Sequence, residues 1–193
     1  MVRLPALAGL VALAVAAAPA AGQVSTALPP QTVGDLATDR EPLTELQQVQ
    51  RLMAADRAPQ ALARADAHLA KNPRDAQMRF VRGVILTEMK QPEQAREVFQ
   101  RLTEEFPELP EPYNNLAVIY ASEGRLDNAK AALEMALVAA PNYGTAYENL
   151  GDIYLQMAAD AYQRAAKIDP ANRQASAKLT LSRELISKAR TVR

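Results

Sequence analysis

The sequence predicts an all-α fold built from a repeated unit, and three observations predict it. Glycine is sparse, 7 in 193 residues, while Leu, Ala, Glu, Gln, Arg and Lys fill long windows without a β-branched run, a composition that favours helix. Landmarks recur at fixed intervals: Pro73, Pro107, Pro141 and Pro170 lie 34, 34 and 29 residues apart, and Ala61, Ala95, Ala129 and Ala158 repeat those intervals. Small or slim residues at Val49, Gly83, Ala117 and Gly151 are 34 apart every time. Finally, Tyr113, Leu116, Ala117 and Tyr120 step by three and four along one helix face, as do Ala129, Ala132, Leu133, Ala136 and Leu137.

Residues 1–22, MVRLPALAGLVALAVAAAPAAG, carry one positive charge at Arg3, an apolar run from Leu4 to Ala18 and then small residues. That three-part pattern predicts a secretory signal peptide, cleaved after Ala20 or after Gly22. A membrane anchor is the competing reading, but a spanning helix needs about 20 apolar residues and Pro5 and Pro19 bound this run. The chain has no cysteine, so neither a lipid-modified cysteine nor a disulfide framework is available, and no integral membrane segment is expected after cleavage. An exported, periplasmic protein that is not a lipoprotein is the expectation. Lys plus Arg and Asp plus Glu are both 22, so losing Arg3 leaves a net charge of minus one, too little field to hold nucleic acid. Residues 23–41 mix Pro, Gly, Ser, Thr and Asp with no apolar period and read as a flexible leader.

Residues 42–170 form the array. Its third unit, 110–143, places Tyr113, Leu116, Ala117, Tyr120, Gly124, Ala129, Leu133, Ala136 and Pro141 on the pattern of the tetratricopeptide repeat, which this chain resembles. Residues 76–109 match at Gly83, Leu86, Ala95, Phe99 and Pro107, and residues 42–75 are a degenerate first unit with His68 where a small residue is usual. The resemblance implies a superhelical solenoid of helix, turn and second antiparallel helix. Gly124 falls where a first helix stops and the backbone takes positive φ. Pro59 and Pro92 stand where second helices begin, a site that tolerates the missing N–H.

The fourth unit, 144–170, is shortened. Read from the front, Tyr147, Leu150, Gly151 and Tyr154 occupy a first helix; read from the back, Ala158, Tyr162, Ala165 and Pro170 occupy a second, and five residues of turn are missing between them. No Gly or Pro lies between Asp152 and Asp169, and Leu150, Ile153, Tyr154, Met157, Ala161, Tyr162, Ala165 and Ile168 keep to one stripe. The expectation is one unbroken helix over about 145–168, roughly 36 Å long. A tight reversal at Met157–Asp160 is the alternative, disfavoured because its second helix would be short and costly to nucleate. A straight helix leaves Met157, Tyr162, Ala165 and Ile168 to be covered by the terminal helix or by a second molecule, so a homodimer is a candidate assembly.

Residues 171–193 predict a basic C-terminal capping helix with Ala175, Leu179, Leu185, Ile186 and Ala189 facing inward. Arg173, Lys178, Arg183, Lys188, Arg190 and Arg193 stand against Glu184 alone. Its charges read as a solvated face, with contact to an acidic partner or an anionic surface as the functional alternative.

Enzyme signatures are scarce. His68, the only histidine, falls on a packed face and reads as a structural imidazole; there is no cysteine nucleophile, glycine-rich phosphate loop or zinc-ligand cluster. No catalytic residue, cofactor or metal is expected. The resemblance implies instead a groove walled by the first helices, with Met53, Gln77, Phe80, Val84, Glu88, Glu111, Asn114, Val118, Glu148 and Asp152 facing a protein or peptide partner. One family variant clamps a C-terminal carboxylate with Lys, Arg and Asn; Asn115 and Asn149 fit its asparagine position, but no Lys or Arg lies nearby on that face. The functional expectation is a non-catalytic scaffold in the bacterial cell envelope, with a self-assembling protein joined through helix 145–168 as the alternative.

Overall fold

The computed structural model describes residues 43–191. The expected signal at 1–22 and leader at 23–41 lie outside the described residues. Among the described residues eight helices follow one another: α1 Glu45–Ala54, α2 Ala58–Leu69, α3 Ala76–Glu88, α4 Pro92–Glu105, α5 Pro110–Ser122, α6 Leu126–Ala139, α7 Gly144–Ile168 and α8 Arg173–Thr191. Each packs on the next in sequence, and α5 also touches α7, which is the stacking pattern of a helical solenoid. Among the described residues none of the helices is long and apolar enough to cross a membrane.

Local chemistry explains the helix ends. Thr44 caps α1 in a reciprocal box, its hydroxyl accepting from the Gln47 N–H at 3.2 Å while Gln47 Oε1 accepts from the Thr44 N–H at 2.9 Å. Asp75 caps α3 by accepting from the Met78 N–H at 2.9 Å. His68 Nε2 stands 2.8 Å from the other Asp75 oxygen, which ties the end of α2 to the start of α3. Partial burial pushes the Asp75 carboxyl upward, but the Met78 N–H, the His68 side chain and its charge, and the Gln77 N–H outweigh it and hold the group below its ordinary value.

The turns inside the first three helix pairs share one device. Asp56, Lys90 and Gly124 have φ of 57°, 58° and 74°, and they lie 34 residues apart. Gly124 takes this left-handed conformation without cost, whereas a side chain there is strained by about 1–2 kcal/mol. In the first two pairs Pro59 and Pro92 help start the second helix instead. The fourth pair has neither device, and α7 runs unbroken for 25 residues, as the sequence predicts; there is no reversal at Met157–Asp160.

The core lies between first and second helices. Val49, Ala61, Ala65, Met78, Val81 and Ile85 form its first part. Leu86, Ala95, Phe99, Leu102, Leu116, Ala117, Leu133, Ala136, Ala146 and Ile153 belong to the rest. Gly83 is small for a reason: a Cβ on it would lie 2.6 Å from Cε1 of the fully buried Phe99. Arg79 takes the place that Tyr113 has one unit later; it forks onto Glu105 at 2.6 and 2.8 Å and stands 6.0 Å from the Phe106 ring centroid. Partner helices are thus joined by packing and by ion pairs, including Arg64 with Glu45 and Arg82 with Asp66.

The predicted stripe on α7 splits. Leu150, Ile153 and Met157 pack toward the core, but Tyr154 is 49% exposed and Ile168 84% exposed, and Ala161 is open as well. The cause is geometric: the N-terminal half of α7 turns Ala146, Asn149 and Ile153 inward, and the opposite side has no second helix over it. In α8 the inward set is Ala175, Leu179, Ser182, Ile186 and Ala189; Leu185, expected inside, is exposed. Ser182 takes the inner position because it is small and bonds locally, its hydroxyl donating to the Lys178 carbonyl at 2.9 Å.

Two substitutions test this reading by urea unfolding. Gly83→Ala is expected to lose about 1–3 kcal/mol, because the Phe99 ring has no room to retreat. Lys90→Gly is expected to gain about 1 kcal/mol by relieving the left-handed turn.

Candidate functional site

The candidate wall is made by the first helices α1, α3, α5 and α7. Apolar side chains come from three of them: Met53 on α1, Val84 on α3 and Val118 on α5, each half-buried and retaining surface. Exposed Gln77, Glu88 and Glu148 and half-buried Glu111 and Asp152 supply the polar part. Two expected wall residues are corrected. Phe80 is only 8% exposed, its ring centroid 5.7 Å from that of Phe99, so it is a core residue rather than an anchor. Asn114 is 7% exposed, and its Oδ1 accepts from Asn149 Nδ2 at 2.7 Å.

That buried amide pair ties α5 to α7 across one repeat interval. Asn115, the other asparagine on α5, donates to the Glu111 carbonyl at 2.9 Å and is also engaged. Among the described residues every buried side-chain nitrogen and oxygen has a partner. The Asn114–Asn149 bond therefore helps fix the register of the last stacking step, and the Asn115 and Asn149 amide donors are both engaged within the fold.

Acidic side chains supply the charge of the wall, at Glu88, Glu111, Glu148 and Asp152. Partial desolvation, and then the charge of Asp56, push the Glu88 carboxyl above its ordinary value although it keeps contact with solvent. Burial likewise raises the Tyr143 hydroxyl, with the Glu111 charge adding to it. On α3 the two arginines are committed elsewhere, Arg79 to Glu105 and Arg82 to Asp66, both on second helices. The raised Glu88 value has a sign: its ionised form is disfavoured on folding, so the penalty is absent below the unfolded value and complete above the folded one.

Of the residues expected to self-associate, Met157 packs against the core, and Tyr162 is half-buried with the Lys178 ammonium 5.6 Å from its ring centroid. Ala165 is half-buried, and Ile168 is open. Sequence reasoning missed the larger exposed feature, Tyr147, which is 56% exposed. The missing turn was the available signal, since it removes the second helix that covers the neighbouring small position, as Phe99 covers Gly83.

Comparison with known proteins follows the same outline. Two family models, both described as tetratricopeptide repeat, match residues 46–110 and 86–151, together more than half of the chain. The tetratricopeptide repeat domain-containing protein PYG7, chloroplastic, of Arabidopsis thaliana is 40% identical over 73 residues, which are 35% of this chain and 24% of that protein. The match therefore spans about a quarter of that relative's length. Among solved structures, TTC0263, a thermophilic TPR protein of Thermus thermophilus, aligns with TM-score 0.54 at 22% identity, over 72% of this chain and 80% of its own. The second TPR domain of human RPAP3, solved in complex with the HSP70 peptide SGPTIEEVD, aligns with TM-score 0.52 at 15% identity, over 57% and 92%.

Two measurements check the site's internal chemistry. Asn149→Ala, leaving Asn114 without its donor, is expected to cost about 1–3 kcal/mol, with a strongly non-additive cycle when Asn114→Ala is combined with it. Glu88→Gln is expected to stabilise the fold at neutral pH and to change nothing once the solution is acid enough to protonate the carboxyl in both states.

Proposed function

The chain belongs to the tetratricopeptide repeat family, and on that premise we propose that it is a non-catalytic adaptor that holds a partner segment against the wall of α1, α3, α5 and α7. The observation that carries the proposal is the pairing of half-open apolar side chains, Met53, Val84 and Val118, with an acidic edge at Glu88, where the neighbouring charge is that of another acid, Asp56. Such a wall suits an extended segment or helix with apolar anchors and a basic end. A cation beside Glu88 offsets the repulsion from Asp56, so binding strengthens as pH rises through the carboxylate range. The human RPAP3 domain was solved with a peptide ending in Glu-Glu-Val-Asp. An acidic peptide of that kind meets like charges on this wall and is expected to be rejected.

The N-terminal pattern of residues 1–22 supports an adaptor exported to the periplasm of a bacterial cell envelope, without a lipid anchor. Mass spectrometry of the protein recovered from the periplasmic fraction is expected to find a mature N-terminus after Ala20 or Gly22; recovery with Met1 retained removes this part of the proposal.

A pair of peptide arrays tests the adaptor reading. Basic segments with two or three apolar anchors are expected to bind and acidic ones to fail. Charge reversal at the exposed Glu88→Lys and Glu148→Lys positions is expected to weaken the basic peptides about tenfold while leaving helicity intact. Equal affinity for both peptide sets, or no loss in the double variant, moves the site away from this wall. Self-association is a second reading that a separate observation favours, the open face of α7.

A further inference from the structure

We propose that the open face of α7 is a self-association seam on which a second copy of this chain lies antiparallel, the two-fold axis passing level with Gln156. The inference is independent of the groove, because it uses a different side of α7.

The first support is the shape of the seam. Tyr147, Gly151, Tyr154, Ala158, Ala161 and Ala165 follow steps of four, three, four, three and four. That spacing is a heptad seam, the pattern by which two helices pack lengthwise. Four of its six positions are open: Tyr147 and Tyr154 are among the exposed large hydrophobic residues, Gly151 and Ala161 are exposed, and a Cβ on Gly151 would meet nothing within 4 Å, while Ala158 and Ala165 are half-buried. Ile168, also exposed, extends it by one further step of three.

The second support identifies the occupant. In intact units the small position of the first helix is covered by the second helix, as Gly83 is by Phe99 and as the buried Ala117 shows again. Gly151 is the same position and lies uncovered. The helix that belongs there carries a small residue followed four residues later by a large one, Ala95 and Phe99 on α4 and Ala129 and Leu133 on α6, and on α6 Ala136 adds a second small residue three further on. This chain carries that pattern once more, as Ala158, Tyr162 and Ala165, but on the far half of α7 itself. A straight helix cannot fold onto its own first half. Two copies placed antiparallel bring each first half against the other's second half, with Ala158 and Ala165 of that pattern in the seam and Tyr162 at its edge.

The layers then match in size. Tyr147 faces Ala165 of the second copy, Gly151 faces Ala161 with Tyr162 beside it, and Tyr154 faces Ala158; the two-fold repeats each contact. Large residues meet small ones at both tyrosine layers, so the helices approach closely without overpacking. The contact is isologous and closed, which predicts a dimer and no larger polymer through this face.

Light scattering on the purified full-length protein is expected to give a concentration-dependent dimer. Gly151→Leu fills open space in the single chain and removes a glycine from mid-helix, so it should keep or raise the melting temperature, yet weaken the dimer about tenfold or more. Inserting Gly-Arg-Leu-Asp-Asn, the sequence of residues 124–128, after Met157 restores the 34-residue interval and should give a monomer in which α7 turns back on itself. Because the chain has no cysteine, mixing the Tyr147→Cys and Ala165→Cys proteins should give an oxidised heterodimer in preference to either homodimer. A wild-type chain that stays monomeric at millimolar concentration, a Gly151→Leu protein that pairs as tightly as the wild type, or cross-linking of Tyr147→Cys mainly to itself would each overturn the proposal.

Discussion

The inner first helices, α3 and α5, are covered on two sides, by the preceding unit and by their own second helix, and the rest of the structure depends on that arrangement. A single helix pair leaves apolar surface bare, so stability comes from contacts between units. The close approach of the two helices in a pair is set by one small residue. Where it is Gly83, the fully buried ring of Phe99 fills the space a Cβ would take; where it is Ala117, Leu133 belongs to the same core. The small residue and the large one opposite are therefore one feature, and neither can change alone.

Turn chemistry decides whether the second cover exists. Three turns reverse the chain with a residue at positive φ, and two of them accept Asp56 and Lys90 there at a cost in strain because a proline starts the next helix. The third has no such proline and uses Gly124, which needs none. At the fourth, removal of five residues puts Ala158 and Ala159, strong helix formers, where a turn would be, and nothing opposes continuation. The result is a helix with its first half covered once. α8 then packs along the second half with Ala175 and Ser182 inward, which closes the end of the array but leaves Tyr147 and Tyr154 in solvent.

The register was legible in the sequence because it is carried by residues that punctuate: Pro73, Pro107 and Pro141 at helix ends, Gly83 and Ala117 at close contacts. The long helix was legible for the same reason, as an absence of punctuation. Depth was not. Period gives the direction a side chain leaves its helix and says nothing of what stands in front of it, so Phe80 and Asn114 took wall positions although Phe99 and Asn149 cover them. Tyr154 and Ile168 failed in the opposite sense, since an apolar stripe predicts burial only where a neighbour exists. In α8, Ser182 is buried and Leu185 exposed, because the face turned inward follows Ala175, Leu179, Ser182, Ile186 and Ala189.

The two surfaces meet on α7 without overlapping. Glu148 and Asp152 turn toward the wall, while Tyr147, Gly151 and Tyr154 turn toward the seam, roughly a quarter to a third of a turn away at 3.6 residues per turn. A seam dimer therefore keeps both walls free and fixes them in one rigid body, because the shared element is a continuous helix with no hinge. Two weak sites held in this way act on a bivalent or clustered partner with an effective concentration set by their spacing, so affinity rises without any new contact. An adaptor with a small acidic wall gains most from that arrangement, since exposed charge pairs contribute little singly and are screened by salt. The shortened fourth unit then serves the function of the others: by giving up its own second helix, it supplies the surface that joins two arrays.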